Sequence, residues 1–180
     1  MICRVPLRSR ARRVALILMD VDGVLTDGGI FYAGPSQEGR IFDAKDGVAL
    51  AVARRAGLLT GVLSGRGGAA VRRRARELRM DEIHLDARNK LPVYERILRR
   101  RRLIDSEVCY IGDDLVDLPV MERAGMAVGV ADAHPEVRRR AAFVTRARGG
   151  RGAVREVIDA ILQAQGRWAT VMGWFAGGGS

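Results

Sequence analysis

The sequence predicts a doubly wound, Rossmann-like α/β fold: a parallel sheet with helices on both faces. Apolar runs of strand length alternate with segments of helical period. The runs are apolar throughout, as strands buried on both faces are. Acidic, hydroxyl and glycine residues follow several runs directly, which is where such sheets carry their chemistry. At 180 residues the chain is long enough for one domain with a core.

The elements follow in order. Residues 4–13 are strongly basic and faintly imitate a secretory leader. The apolar run after them, 14–19, is far below the about 20 residues of a membrane helix, and no small-residue cleavage site follows. We read 1–13 as a basic, frayed arm and 14–19 as the first buried strand, ended by Asp20 and Asp22, which excludes a membrane span. Residues 28–42 break the alternation. Ile30 and Tyr32 precede a Gly34-Pro35-Ser36 turn and Ile41 and Phe42 follow it, which predicts a β-hairpin flap. A helix is then expected over 48–56, a strand over 58–63 and a helix over 69–78. Next come a short strand over 83–85 and a helix over 91–102, with Asn89 as its cap and Pro92 in its first turn. Strands at 108–111, 126–130 and 143–144 alternate with helices at 118–124, 135–141 and 153–163. One domain over 14–164 results, with a tail over 165–180 whose low-complexity end, 177–180, carries no fold information.

Chemistry gathers at the strand ends. Asp20 and Asp22 flank one residue, and carboxylates that close repel unless a cation or proton intervenes. With Mg²⁺ present, one carboxylate can attack phosphorus while the other protonates the leaving oxygen and later activates water. The competing reading is a plain Asp-Gly turn. A calcium loop starting at Asp20 is excluded, because its sixth and twelfth positions are Leu25 and Phe31, where Gly and Glu are required. Ser64, Gly65 and Arg66 lead through Gly67 and Gly68 into a helix, offering a hydroxyl and backbone amides to an anion. Lys90 follows the third sheet strand, placed to neutralise a phosphoryl group and keep a carboxylate ionised. Asp113, Asp114 and Asp117 follow the 108–111 strand and complete an oxygen-only site suited to Mg²⁺. Each group alone has an ordinary structural explanation; four sites in order after successive strands do not.

Composition narrows the partners. The formal charge of +10 permits nucleic acid, anionic membranes or phosphorylated small molecules. The arginine clusters at 72–76, 99–102 and 138–140 lie in predicted helices with few aromatics between them, which favours solvated helix faces over a nucleic-acid surface. Lysine occurs only at Lys45 and Lys90. Two cysteines, Cys3 and Cys109, are too few for a disulfide framework or zinc site, and a reducing cytoplasm is the simplest compartment.

Together these segments resemble the haloacid dehalogenase superfamily of phosphotransferases, with DVDGVLTDG as first motif, SGR as second, Lys90 as third and GDDLVD as fourth. The resemblance implies Asp20 as nucleophile, Asp22 as acid/base, and Ser64 with Gly65 on the phosphoryl oxygens. It implies Mg²⁺ held by the Asp20 carboxylate, the Asp22 main-chain carbonyl and Asp113, with Asp117 orienting Lys90 or a water on the metal and Asp114 as auxiliary. The segments 27–64 and 66–90 are used up by predicted elements, so no cap domain fits. Such an open site suits macromolecules unless neighbouring subunits roof it over.

DGVLTDGGIFY, FDAKDG, SGR, Lys90 and GDDLVDLPVM look like the 3-deoxy-D-manno-octulosonate 8-phosphate phosphatases, a family that forms homotetramers through such a hairpin. That resemblance adds Asp46 and Gly47 to the substrate-binding set and a role in lipopolysaccharide precursor synthesis. Arg66 stands either as a fork for the substrate carboxylate or as a structural ion pair. The tail with Trp168, Trp174 and Phe175 resembles tails that reach a neighbouring subunit's site. Two departures are Lys45, where the family varies more, and the missing glycine before Lys90; neither removes a catalytic group. A phosphatase of nine-carbon sialic-type sugar acids, a nucleic-acid end phosphatase or binding protein, and a silent assembly module stand as alternatives.

Overall fold

Six parallel strands form one sheet in the computed structural model of the chain, which describes residues 6–34 and 37–176. Cys3, Arg4, the Pro35-Ser36 part of the predicted turn and the 177–180 end lie outside the described residues. The first half runs α1 (Leu7–Arg13), β1 (Leu16–Met19), β2 (Phe31–Gly34), β3 (Gln37–Gly39), α2 (Ala44–Arg55), β4 (Leu59–Leu63), α3 (Ala69–Glu77) and β5 (Glu82–His84). The second runs α4 (Lys90–Arg101), β6 (Val108–Gly112), α5 (Leu118–Met121), β7 (Met126–Gly129), α6 (Pro135–Arg140), β8 (Phe143–Val144), α7 (Ala153–Ala164) and α8 (Trp168–Ala176).

The sheet order β5-β4-β1-β6-β7-β8 is the predicted doubly wound arrangement. β1 sits inside it, with Met19 level with Val62 on one side and Ile111 on the other. All four β1 side chains are fully buried, each contributing about 1.5–3 kcal/mol of hydrophobic stabilisation. Connections from β1 and β4 run one way along the sheet and those from β6 and β7 the other. Right-handed crossovers therefore put α2 and α3 on one face and α5 and α6 on the opposite one. The reversal falls between β1 and β6, which opens a crevice past their carboxyl ends. Both edge strands are short, three residues in β5 and two in β8.

Three segments differ from expectation. Helix α2 begins at Ala44 instead of 48, because Asp43 caps it by accepting from the Lys45 amide at 2.7 Å. Lys45, Asp46 and Gly47 are thereby taken into the first helical turn. The basic arm is not frayed over 7–13: Leu7 and Ala11 share a helical face that packs on the core. Gln165 Nε2 ties α1 down by donating to the Ala11 and Val14 carbonyls at 3.2 and 2.8 Å. A helix this short does not stand alone, and docking supplies its stability. The tail forms α8 against its own domain, with Val171 buried and the Arg55 guanidinium 4.4 Å over the Trp174 ring.

The predicted hairpin is present as β2 and β3, an antiparallel pair separate from the main sheet. Tyr32 pairs with Glu38 and Phe31 with Gly39, and the Phe31 ring lies over Gly39 where a side chain would otherwise stand. Phe31, Tyr32 and Ile41 are exposed.

Candidate active site

The Asp20 amide continues the β1 ladder by donating to the Ile111 carbonyl at 3.0 Å, which sets the first motif beside the loop leaving β6. The turn that follows is tight. Gly23 has φ +90°, and a Cβ there would stand 2.1 Å from Asp113 Oδ2, so glycine lets the first and fourth motifs meet. The 147–152 loop braces the same turn from behind: the Gly150 amide donates to the Val24 carbonyl at 2.9 Å, and a Cβ on Gly149 would fall 1.7 Å from the Gly23 carbonyl oxygen.

A buried charge network fills the crevice. Lys90, at the start of α4, directs Nζ to Asp20 Oδ2 at 2.9 Å and Asp117 Oδ1 at 2.6 Å. Asp117 Oδ1 also accepts from the Tyr110 hydroxyl at 2.7 Å, and Oδ2 accepts from the Asp113 and Asp114 amides at 3.0 and 3.3 Å. Burial opposes the Lys90 charge, but Asp20 and Asp117 outweigh it and hold the ammonium ionised. Burial, followed by the Asp117 charge, pushes Asp20 up to about 6 against the pull of Lys90. Asp113 is pushed up to about 8 by burial and then by Asp117, Asp20 and Asp114.

Asp20, Asp113 and Asp117 offer carboxylate oxygens within 4.8 Å of one another. The three differ in what is free. Asp117 is spent on four donors and acts as a strut. Asp113 Oδ1 is buried without a hydrogen-bond partner, a costly state for a lone carboxylate. A hard divalent cation between Asp20 and Asp113 answers both the orphaned oxygen and the mutual repulsion, and an all-oxygen donor set suits Mg²⁺.

Asp22 lies on the same loop, its carboxylate engaged by Arg40 from the residue after β3: Nε meets Oδ1, and Nη2 meets Oδ2 at 3.1 Å. Ser64, at the end of β4, is buried and its Oγ accepts from the Arg66 amide at 3.2 Å, with Gly65 exposed beside it. The Arg66 side chain turns to the hairpin, donating to Tyr32 Oη at 3.0 Å and Glu38 Oε2 at 2.9 Å. Asp114 is exposed and accepts from the Leu115 amide at 2.7 Å, capping the short turn of 115–117.

Asp46 and Gly47 do not join the Asp20–Lys90–Asp117 network. Asp46 is buried, Oδ1 accepting from the Arg155 amide at 2.8 Å in the first turn of α7. Gly47 admits the Arg74 guanidinium, which a Cβ would approach to 2.4 Å. The early start of α2 carries both into the helix, where Gly47 serves packing and Asp46 Oδ2 is buried without a hydrogen-bond partner. Sequence reading missed Arg40, Glu38 and Tyr110. Tyr110 is hidden inside an apolar strand; Glu38 and Arg40 carry a signal, alternation onto one side of the flap, that reads equally well as ordinary surface charge.

Comparison with known proteins agrees with this geometry. Residues 81–158 match the haloacid dehalogenase-like hydrolase family. The chain is 40% identical over 159 residues to the 3-deoxy-D-manno-octulosonate 8-phosphate phosphatase KdsC of Escherichia coli K12, covering 88% of this chain and 85% of that protein. The Moraxella catarrhalis 3-deoxy-D-manno-octulosonate 8-phosphate phosphatase, solved with magnesium, phosphate and KDO, is 34% identical with a TM-score of 0.91, over 94% of this chain and 97% of that one. The cobalt-bound Haemophilus influenzae phosphatase is 33% identical with a TM-score of 0.87, over 92% and 99% of the two chains.

Proposed function

Because the chain belongs to the 3-deoxy-D-manno-octulosonate 8-phosphate phosphatase family of haloacid dehalogenase-like hydrolases, we infer that it is a Mg²⁺-dependent phosphoric monoester hydrolase acting on that eight-carbon sugar acid phosphate. The observation that carries this reading is the buried Asp20–Lys90–Asp117 network beside the unpartnered Asp113 oxygen. It supplies a nucleophile, a fixed cation for the phosphoryl group and a carboxylate oxygen suited to a hard cation, brought together past the ends of β1 and β6.

The Asp20 carboxylate and Asp113 would hold Mg²⁺, with the Asp22 main-chain carbonyl as a further ligand. When bound, the ion offsets the phosphoryl charge and keeps Asp20 ionised. Asp20 attacks phosphorus while the bond to the sugar oxygen breaks, and Asp22 gives that oxygen a proton. The resulting aspartyl-phosphate is hydrolysed by a water from which Asp22 takes a proton, and inorganic phosphate leaves. Ser64 Oγ and the Gly65 amide hold the phosphoryl oxygens. Lys90 offsets their charge, kept aimed by Asp117, which is in turn fixed by Tyr110 and two loop amides. Asp114 shapes the loop by capping it.

The setting we assign is lipopolysaccharide precursor synthesis in the cytoplasm; no described helix is long and apolar enough to cross a membrane. We assign the exposed hairpin residues Phe31, Tyr32 and Ile41 to contacts between subunits of a homotetramer, which would roof the open site. The test is phosphate release with Mg²⁺ from the eight-carbon substrate, a nine-carbon sialic-type sugar acid 9-phosphate and unrelated phosphate esters. We expect strong preference for the first, and loss of turnover by about 10³-fold or more in Asp20→Asn. Comparable rates on all esters would remove the assigned specificity.

A further inference from the structure

Arg40 is the buried cation that the reaction scheme leaves without a task. Its side chain is completely shielded from solvent, yet it comes from the end of the exposed hairpin and reaches into the first motif. Its Nε and Nη2 grip both oxygens of Asp22, while Nη1 is held by Glu38 Oε1 at 2.5 Å. A Cβ added to Gly68 would stand 3.2 Å from Nη1, so the guanidinium lies between the first motif and the phosphate-binding second one. Glu38 in turn joins Arg66.

A carboxylate gripped at both oxygens can neither pass a proton to a leaving group nor take one from water. Asp22 must therefore be let go, and take up a proton from solvent, before it can give one to the leaving oxygen. A buried guanidinium does not release one anion without another to replace it, because an unpaired charge there is strongly unfavourable. The replacement must match a planar fork, which a carboxylate or a phosphoryl group does and a hydroxyl does not; the phosphoryl group is already engaged by Ser64, Gly65 and Lys90 in the reading above, which leaves the carboxylate as the anion for Arg40. Glu38 keeps the third nitrogen anchored during the exchange.

We propose that Arg40 is a specificity-determining residue that trades the Asp22 carboxylate for the carboxylate of the substrate, so that only an acid-bearing phosphate ester frees Asp22 for proton transfer. This rests on the phosphatase reading above. A sugar phosphate without an acid group finds the Asp22 clamp closed and is discriminated against in turnover as well as in binding.

The test compares Mg²⁺-loaded wild type with Arg40→Gln on 3-deoxy-D-manno-octulosonate 8-phosphate and on ribose 5-phosphate. The expected result is that kcat/KM falls for the acid and rises for ribose 5-phosphate, shifting their ratio by about 100-fold. A parallel loss on both substrates, or an unchanged ratio, overturns the proposal, since a purely structural strut would give the one and an irrelevant contact the other. If Arg40→Gln shows no cooperative melt, Glu38→Gln, which keeps the guanidinium and loosens its anchor, is judged by the same ratio, with a smaller shift in the same direction expected. Wild type that turns over neither substrate removes the phosphatase reading and this proposal with it, whereas active wild type with an unmoved ratio removes only the role of Arg40.

Discussion

Asp113 is a carboxylic acid held among other acids, and that has a measurable consequence for the metal-free protein. Its value rises from 3.8 to about 8 on folding, and that of Asp20 from 3.8 to about 6. A carboxyl whose value is higher in the folded state binds more protons folded than unfolded. Its contribution is therefore favourable at low pH and is lost as pH rises through the window between about 4 and 8. With chelator present we expect the melting temperature to fall by roughly 5 °C or more from pH 5 to pH 8. Mg²⁺ should restore most of that loss at pH 8 and do little at pH 5, where the cation competes with protons. A chelated protein that is more stable at pH 8 than at pH 5 would contradict the crowding of these acids. Asp20 and Asp113 were legible in the sequence because each sits at the end of an apolar run, and Lys90 because it opens the helix that follows one. Arg40 was not: its importance arises from a hairpin folding back over a loop 18 residues earlier, and no local pattern records that distance.

The loop over 147–152 has no chemistry of its own, but it is packed against the backbone that carries Asp20 and Asp22. Gly149→Ala would press a methyl into the Gly23 carbonyl, displacing the catalytic turn at a stability cost of about 1–3 kcal/mol. We expect kcat to fall by about 10-fold or more, since small misplacements of reacting groups are costly, with far-ultraviolet circular dichroism unchanged. An unaltered kcat would show the brace to be dispensable. Elements of the sheet were readable because strands buried on both faces must be apolar throughout. Those misread were short or context-dependent. The 7–13 helix exists through its contact with α7, and the start of α2 was set, four residues ahead of the expected start, by one Asp43 cap.

Each arginine cluster has members tied up in ion pairs with nearby acids. Glu77 is paired with Arg73, Glu136 with Arg139 and Arg140, and the buried Glu82 with Arg100 and Arg101. This supports solvated, self-paired helix faces over a nucleic-acid surface. The proposed subunit contacts fall elsewhere, on the hairpin. Light scattering should give the mass of a tetramer for the wild type and a smaller species for the Phe31→Ser, Tyr32→Ser double variant; equal masses would remove the hairpin from assembly. The sequence resemblance pointed to the hairpin as an interface, but a single chain records only that its aromatics are uncovered. The short ends of the sheet bear on the same question. With three residues in β5, where Glu82 draws two arginines to the rim, and two in β8, neither border offers a backbone template long enough for another chain to add to. Growth into open-ended fibrils by strand addition at these borders is thereby disfavoured.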